Sequence, residues 1–311
     1  MALLVAGAAG ISVDTLSIID LLEGDVVLAN ATRLTLRDGP WLEEFQGQFV
    51  YTGEDLTGGT ATYWRESFEG QMVFEVSNFS VPVTSFLDWV INDDNEGARS
   101  TILGGADSIV GAAAADTLRG YAGDDVINGG AGTNYLRGDE GADSIVGGSG
   151  FDDINGNMGN DTASGGVGED WVVGGRDNDV LSGGDAYDLV YGNLGSDTCD
   201  GDGGDDIVRG GQADDIVRGG AGNDYVSGDR GNDTMAGGAG ADIFHTFGLA
   251  DVDRVTDFSL ADGDRVQVDP GTQYTLAQVG ADTVISMTGG GQMILVDVQL
   301  SALPQGWIFG A

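Results

Sequence analysis

GAAAADTLR GYAGDDVIN GGAGTNYLR GDEGADSIV GGSGFDDIN occupies residues 111–155, and the same nine-residue phase continues without interruption to GGAGADIFH at 237–245. The stretch contains fifteen consecutive blocks, and an earlier block, ILGGADSIV at 102–110, keeps part of the pattern. Position one is Gly in all fifteen blocks, position four is Gly in eleven, position six is Asp in fourteen, and position eight is apolar throughout. A fixed period of this length decides the fold before local propensities are considered.

The composition of the blocks excludes helices and predicts two turns and two strands in every eighteen residues. Gly costs about 1 kcal/mol per helical site, and Asp favours caps and turns. The three residues after position six place one apolar side chain between two that are often polar, which suits a very short strand with one buried face. A flexible linker has no reason to keep an apolar residue at every ninth position. The predicted fold class is therefore all-β, with a parallel β-roll over residues 101–245 whose turns stack about 4.8 Å apart.

Stacking would align the position-six side chains in two columns, one on each edge of the roll. One column would contain Asp116, Asn134, Asp152, Asp170, Asp188, Asp206, Asp224 and Asp242. The other would contain Asp107, Asp125, Asp143, Asp161, Asp179, Asp197, Asp215 and Asp233. Neighbouring carboxylates at this spacing repel by about 1 kcal/mol even in bulk water, so a cation is needed between them. Carboxylate and carbonyl oxygens on flexible loops favour calcium over magnesium, zinc or copper.

The blocks resemble the GGxGxDxUx nonapeptides of the repeats-in-toxin (RTX, hemolysin-type calcium-binding) family. The resemblance implies that each calcium ion lies between two adjacent turns, held by position-six Asp and by backbone carbonyls of positions one to four. At position one it assigns this role to Gly111, Gly120, Gly129, Gly138, Gly147, Gly156, Gly165, Gly174, Gly183, Gly192, Gly201, Gly210, Gly219, Gly228 and Gly237. At position four it assigns the role to Gly123, Gly132, Gly141, Gly150, Gly159, Gly168, Gly195, Gly204, Gly222, Gly231 and Gly240.

Several blocks depart from the family pattern. Asn134 has lost a charge, GAAAAD at 111–116 lacks two glycines, and Asp177 and Ala186 replace Gly at position four. We expect the calcium sites next to these residues to be weak or empty. The chain also contains no Lys, whereas the pore-forming toxins of the family are activated by acylation of lysine.

The charge of the chain bears on both partners and folding. The 51 acidic and 12 basic residues give a net charge of −39, which excludes nucleic acid and anionic membranes as favoured partners. The columns offer gaps for up to about thirteen calcium ions, whose charge of about +26 would leave about −13. We therefore expect a chain that is disordered without calcium and folds as it binds. The one cysteine, Cys199, excludes an internal disulfide and is predicted to be a buried small apolar residue.

Residues 1–100 are predicted to form a small antiparallel β domain with one short helix. Alternating runs at 25–38, 45–53, 59–67 and 70–79 indicate four strands, and VTSFLDWVIND at 83–93 indicates the helix. The predicted core, which could instead be a binding face, contains Trp41, Phe49, Trp64, Phe74, Phe79 and Trp89. The start, MALLVAGAAG, resembles the apolar part of a signal peptide but lacks basic residues, which favours an uncleaved start. The sequence contains no run of eighteen apolar residues, so no membrane span is expected.

Residues 246–311 lose the nine-residue phase. Apolar runs at 253–258, 264–268, 274–279, 282–287 and 292–298 predict longer strands that cap the open end of the roll. These residues also resemble the end segment of many RTX proteins, which implies an uncleaved signal for the type I secretion machinery.

Catalytic motifs are not found, and we expect no enzymatic activity. The only histidine, His245, ends the last repeat, so neither an HExxH zinc site nor a nucleophile paired with histidine can form in the N-terminal domain. The first hypothesis is a secreted calcium-binding protein, at the cell surface or in the matrix, with a structural or adhesive role through self-assembly or a cell-surface partner. The alternatives are a secreted hydrolase with a calcium-dependent export module, and a calcium buffer or export chaperone.

Overall fold

The structure of the chain, a computed structural model, describes residues 103–310 and, before them, the backbone of six strands between residues 3 and 82. The chain divides into two compact units, Met1–Gly147 and Gly148–Ala311. Each unit is described by itself below. The domain boundaries expected after residues 100 and 245 stay predictions.

The first unit begins with an antiparallel meander. Its strands are β1 (Leu3–Ala6), β2 (Asp25–Asn30), β3 (Arg33–Asp38), β4 (Trp41–Thr52), β5 (Asp55–Phe68) and β6 (Gln71–Pro82). Strands β2 to β6 each pair antiparallel with the next, and β1 pairs antiparallel with β6. The predicted count of four strands was wrong, because the run at 25–38 forms two paired strands and β1 adds another. The predicted helix at 83–93 lies outside the described residues, as do the side chains of the predicted aromatic core.

The repeats of the first unit form parallel strands. These are β7 (Ser108–Val110), β8 (Thr117–Ala122), β9 (Val126–Ala131), β10 (Asn134–Glu140) and β11 (Ser144–Ser149), the last of which crosses the boundary between the units. In the β7–β9 pair Ile109 lies opposite Ile127, and in the β8–β10 pair Leu118 lies opposite Leu136. Each of these pairings advances by eighteen residues, as the spacing predicts. Strand β1 also pairs parallel with β7.

The second unit repeats the same arrangement. Its repeat strands are β12 (Asp152–Met158), β13 (Thr162–Val167), β14 (Trp171–Arg176), β15 (Val180–Asp185), β16 (Leu189–Leu194), β17 (Thr198–Gly203), β18 (Ile207–Gln212), β19 (Ile216–Ala221), β20 (Tyr225–Arg230), β21 (Thr234–Ala239) and β22 (Ile243–Thr246). Even-numbered strands pair parallel with one another, and so do odd-numbered strands. Two nonapeptides therefore build one turn of a parallel β-solenoid, which confirms the predicted fold class.

The core of the solenoid is formed by position eight of each block. The side chains at this position are at most 1% exposed: Leu118, Ile127, Leu136, Ile145, Ile154, Ala163, Val172, Leu181, Val190, Cys199, Val208, Val217, Val226, Met235 and Phe244. The prediction that Cys199 is a buried apolar residue is confirmed, and burial raises the pKa of its thiol well above the ordinary value. One apolar side chain per strand thus supplies a continuous line of buried contacts within each unit.

The cap of the second unit continues the solenoid after the nine-residue spacing has ended. Its elements are β23 (Val252–Val255), β24 (Arg265–Val268), β25 (Tyr274–Val279), β26 (Asp282–Met287), β27 (Gln292–Leu295), a 3₁₀ turn (Leu300–Ala302) and β28 (Ile308–Phe309). Strands β23 and β24 add parallel to β21 and β22, whereas β25, β26 and β27 form an antiparallel meander. The expectation of longer strands was wrong for β23, β24 and β27, which have four residues each. No helix in the described residues is long and apolar enough to cross a membrane.

Candidate metal sites in the aspartate columns

The position-six side chains lie at the end of each turn, immediately before the short strand. We call the stacked set on each edge of a unit an aspartate column. The first unit contributes Asp107, Asp125 and Asp143 to one column and Asp116 and Asn134 to the other. The second unit contributes Asp161, Asp179, Asp197, Asp215 and Asp233 to one column and Asp152, Asp170, Asp188, Asp206, Asp224 and Asp242 to the other. All these side chains are at most 3% exposed, although carboxylates are seldom buried without a partner.

Each column is connected by hydrogen bonds from backbone to side chain. The backbone N–H of Asp179 donates to Oδ1 of Asp197, which is eighteen residues later, at 2.8 Å. The same bond recurs along the columns at 2.7 to 3.0 Å. In each of these pairs Oδ1 of the later residue therefore joins its own turn to the preceding turn on the same edge.

The other oxygen, Oδ2, is buried and accepts no hydrogen bond within the described part of the chain in ten of these residues. They are Asp125, Asp170, Asp179, Asp188, Asp197, Asp206, Asp215, Asp224, Asp233 and Asp242. A buried polar group without a partner costs about 1–3 kcal/mol, and more when it is charged. One orphaned oxygen would be a local fault, but ten in regular register indicate a ligand that the polypeptide itself does not supply.

Position-one glycines leave room beside these oxygens. A Cβ atom on Gly183 would lie 2.6 Å from Oδ2 of Asp188 and 2.8 Å from the carbonyl oxygen of Gly201. At Gly165 the corresponding contacts, to Oδ2 of Asp170 and to the Gly183 carbonyl, would both be 2.5 Å. Glycine is thus required at position one because carboxylate and carbonyl oxygens converge there, and not because φ is positive.

At position four the requirement is conformational. Gly195 has φ of 141°, which L-residues rarely adopt. The departures at this position nevertheless keep a left-handed backbone, with φ of 72° at Asp177 and 87° at Ala186. Ala213 does the same at 85°. The turn conformation therefore survives the loss of Gly in these blocks.

Burial makes the column carboxylates hard to ionise. It raises the pKa of Asp125 and of Asp215 from 3.8 to about 8, and neighbouring column aspartates raise it further, against backbone hydrogen bonds that lower it. The pKa values of Asp179, Asp188 and Asp206 rise to about 7 for the same main reason. A metal-free column thus keeps its charges near neutral pH only at an energetic cost.

The donor set fits a hard divalent cation. Its oxygens come from column carboxylates and from backbone carbonyls such as that of Gly201. The described residues contain no group of three or more His, Cys, Asp or Glu that could hold an ion by side chains alone. Carbonyls would have to complete each coordination sphere, as is usual for calcium.

Asn134 is the member of the columns least suited to an ion. Its Oδ1 accepts the N–H of Asp116 at 3.0 Å, so the contact between turns is preserved. Its Nδ2 takes the place of Oδ2, and a Cβ on Gly129 would lie 2.8 Å from it. An amide nitrogen donates hydrogen bonds and binds no hard cation, and the weakness of the neighbouring calcium site stays a prediction.

Sequence reasoning missed a second ladder at position five. The backbone N–H of Asn178 donates to Oδ1 of Asn160, and that of Ser196 donates to Oδ1 of Asn178, at 2.8 and 2.7 Å. Four further bonds of this kind are made by the N–H groups of Ala142, Asn223, Asn232 and Ala241. Asp or Asn occurs at position five too irregularly to stand out in the sequence.

A polar groove of about 830 Å³ lies on the outer face of the even-numbered strands in the second unit. Beside it, Nδ1 of His245 lies 3.2 Å from Oγ of Ser227, and Nε2 lies 3.0 Å from Oδ1 of Asp269. The Ser227 hydroxyl donates to Asp229 at 2.8 Å, and this serine is only 1% exposed. The cluster therefore does not present a nucleophile to a substrate.

Comparison with known proteins identifies the repeats. A model of the RTX calcium-binding nonapeptide repeat matches in four copies, at residues 102–136, 137–172, 173–208 and 209–244. The chain has no match among the curated proteins.

Two solved structures are similar to part of this chain. The extracellular lipase LipA from Serratia marcescens is 17% identical over 58% of this chain and 40% of the lipase chain, with a TM-score of 0.27. The AlgE6R3 subunit of the mannuronan C5-epimerase from Azotobacter vinelandii is 22% identical over 44% of this chain and 79% of the subunit, with a TM-score of 0.28. This chain thus spans two fifths of the length of the lipase.

Proposed function

We propose, from the match of residues 102–244 to the RTX calcium-binding nonapeptide repeat, that calcium folds the chain outside the cell, where the chain serves a structural or adhesive role. The repeats supply the calcium-dependent scaffold. The N-terminal region supplies the specific contact with a partner or with another copy. The C-terminal region contains the signal read by a type I secretion machinery.

The observation that carries the proposal is the set of ten buried Oδ2 atoms. They lie on both columns of the second unit and on one column of the first. Two like charges about 4 Å apart repel by about 1 kcal/mol in water and by several times more in a less polar environment. A calcium ion beside each pair would replace this repulsion by attraction and would give the orphaned oxygens a partner.

Calcium binding and folding are coupled by this geometry. The carbonyls and carboxylates that would hold one ion belong to turns eighteen residues apart, as with Asp188 and Gly201 of successive blocks on one edge. Such a site does not exist in an unfolded chain, so the binding free energy contributes to folding. Extracellular modules bind calcium at about 10⁻⁴ to 10⁻³ M. The chain would then remain unfolded at the low calcium concentration of the cell and fold after export.

The charge of the chain supports a role that depends on contact between copies or with a surface. A net charge of −39 repels other copies and most anionic surfaces. About thirteen bound calcium ions would remove about two thirds of this charge. Calcium would therefore promote both folding and close approach.

Light scattering of purified chain tests this role. At millimolar calcium we expect a mass above that of the 31.9 kDa monomer, and a return to monomer after addition of a chelator. A deletion of residues 1–100 should fold with calcium but fail to assemble or to bind the cell surface. A full-length chain that folds with calcium, stays monomeric and does not bind cells would contradict the structural or adhesive role.

A further inference from the structure

One aspartate column of the second unit continues past the last nonapeptide. The backbone N–H of Asp233 points to Oδ1 of Asp253 at 3.4 Å, which extends the bond between Asp215 and Asp233 by one more turn. Strand β23 pairs parallel with β21, with Arg254 opposite Thr234. The spacing is twenty residues instead of eighteen, so the nine-residue pattern does not reveal Asp253.

Asp253 has the same environment as a column aspartate. Its side chain is 1% exposed, and its Oδ2 accepts no hydrogen bond from any residue that the structure describes. Oδ2 of Asp233 is also buried without such a partner. Two adjoining buried carboxylates require either a shared proton or a cation.

The opposite column ends differently. Oδ1 of Asp264 accepts the N–H of Asp242 at 3.1 Å, so this column also gains one member beyond the repeats. Its Oδ2, however, accepts the N–H of Ser259 at 2.7 Å. Both oxygens of Asp264 are therefore bonded within the polypeptide, and the column is closed by a backbone donor.

We propose that Asp233 and Asp253 hold an additional calcium ion, outside the nonapeptide repeats, whereas the column that ends at Asp264 has no such extra site. This inference rests on the proposed calcium-dependent folding of the repeats. The donors are the two carboxylates and backbone carbonyls of the turns that precede them. This calcium ion is additional to those expected from the nine-residue repeats.

The site would connect the last repeat to the cap. The turn before Asp253 is bound to the loop between β26 and β27, because the N–H of Gly291 donates to the Gly248 carbonyl at 3.0 Å and that of Gln292 donates to Asp251. An ion shared by Asp233 and Asp253 therefore couples the cap to the calcium state of the column. Calcium loss at this site is expected to loosen the cap before the repeats unfold.

Native mass spectrometry of the full chain tests the site, because each bound ion adds a resolvable mass. We expect Asp253→Asn, which preserves side-chain size and the Oδ1 acceptor, to bind one calcium ion fewer than the unchanged chain. The matched control, Asp264→Asn, should keep the full number. Equal counts for D253N and the unchanged chain would overturn the proposal, as would the loss of one ion in both variants.

Anomalous diffraction from crystals of the unchanged chain with calcium avoids any dependence on how the variants fold. We expect a calcium peak between Asp233 and Asp253 in addition to peaks along the columns. Peaks along the columns without one at this position would overturn this inference and leave the proposed function intact. Absence of calcium peaks throughout would overturn the proposed function itself.

Discussion

The backbone N–H of Asp197 donates to Oδ1 of Asp215 at 2.8 Å, while Oδ2 of the same Asp215 is buried without a hydrogen-bond partner among the described residues. One side chain thus has two separable tasks. In the folded chain Oδ1 joins successive turns, and Oδ2 with its charge is available to an ion. Substitutions that keep one oxygen and change the other should distinguish the two tasks.

Asp215→Asn should have opposite effects with and without calcium. The amide keeps the acceptor for the Asp197 N–H but removes a buried charge, which should stabilise the metal-free chain at pH 8 by about 1 kcal/mol. In calcium the variant should need a higher concentration to fold, because a carboxylate ligand is lost. Folding induced in chelator by the osmolyte TMAO, which favours the compact state, measures the first effect, and a calcium titration followed by circular dichroism measures the second. An unchanged calcium midpoint would show that Oδ2 of Asp215 is not a ligand.

Asn134→Asp is the reverse substitution in the first unit. It restores the charge where the column carries an amide, while Oδ1 keeps its contact with the Asp116 N–H. We expect a lower calcium midpoint for folding and, in chelator at pH 8, a less stable chain. A variant that folds more readily both with calcium and in chelator, or less readily in both, would argue against a calcium site at this position.

The raised pKa values predict how stability depends on pH. Folding raises the pKa of Asp125 and Asp215 from 3.8 to about 8 and that of Asp206 to about 7. Between about pH 4 and pH 8 the folded metal-free chain therefore binds more protons than the unfolded chain. Its stability must therefore fall as the pH rises through this window. Calcium affinity should rise over the same window, since protons compete for the carboxylates.

TMAO-induced folding in chelator at pH 5 and pH 8 compares the stability of the metal-free folded state at the two pH values, and a calcium titration at each pH compares the calcium affinity. A metal-free chain that is equally stable or more stable at pH 8 would contradict the burial of ionisable carboxylates in the columns.

Ala186→Gly and Ala213→Gly should each stabilise the solenoid. Both alanines have φ above 80°, which costs an L-residue about 1–2 kcal/mol that glycine avoids. With calcium present, we expect each substitution to raise the free energy of unfolding by about 1 kcal/mol. This net value allows for the greater entropy that glycine gives to the unfolded chain. The matched control is Ala241→Gly, because Ala241 is exposed and has no positive φ. The control should lose stability, and a gain there equal to that at Ala186 would refute the role of strain.

Gly183→Ala tests the converging oxygens at position one. The added Cβ would meet Oδ2 of Asp188 at 2.6 Å and the Gly201 carbonyl at 2.8 Å, so one of them must move. We expect the free energy of unfolding to fall by about 1–3 kcal/mol and calcium binding to weaken. Gly203→Ala is the control, since its Cβ would meet nothing closer than 3.7 Å. Similar calcium midpoints for the two variants would count against a site beside Gly183.

The period of the repeats was sufficient to predict the solenoid and its core. Because position eight falls at one fixed place in each eighteen-residue turn, residues as different as Ala163, Cys199 and Phe244 could all be assigned to the interior. The columns followed from the same register. The number of occupied calcium sites and the ligand role of each residue stay predictions.

What the sequence could not reveal depends on contacts without a fixed spacing. Asp253 and Asp264 extend the columns at intervals of twenty and twenty-two residues, so no repeat search reaches them. The hairpin of β2 and β3 was missed because both strands share one alternating pattern across residues 25–38. Ser227, His245 and Asp269 come from three different strands or loops, and only the folded chain brings them together.

A calcium titration followed by far-UV circular dichroism at pH 8, with magnesium as the control ion, tests the central claim most directly. The account predicts an unfolded spectrum in chelator, a cooperative gain of β signal at about 10⁻⁴ to 10⁻³ M calcium, and no comparable gain with the same concentration of magnesium. A full β spectrum in chelator, or an equal response to magnesium, would contradict it.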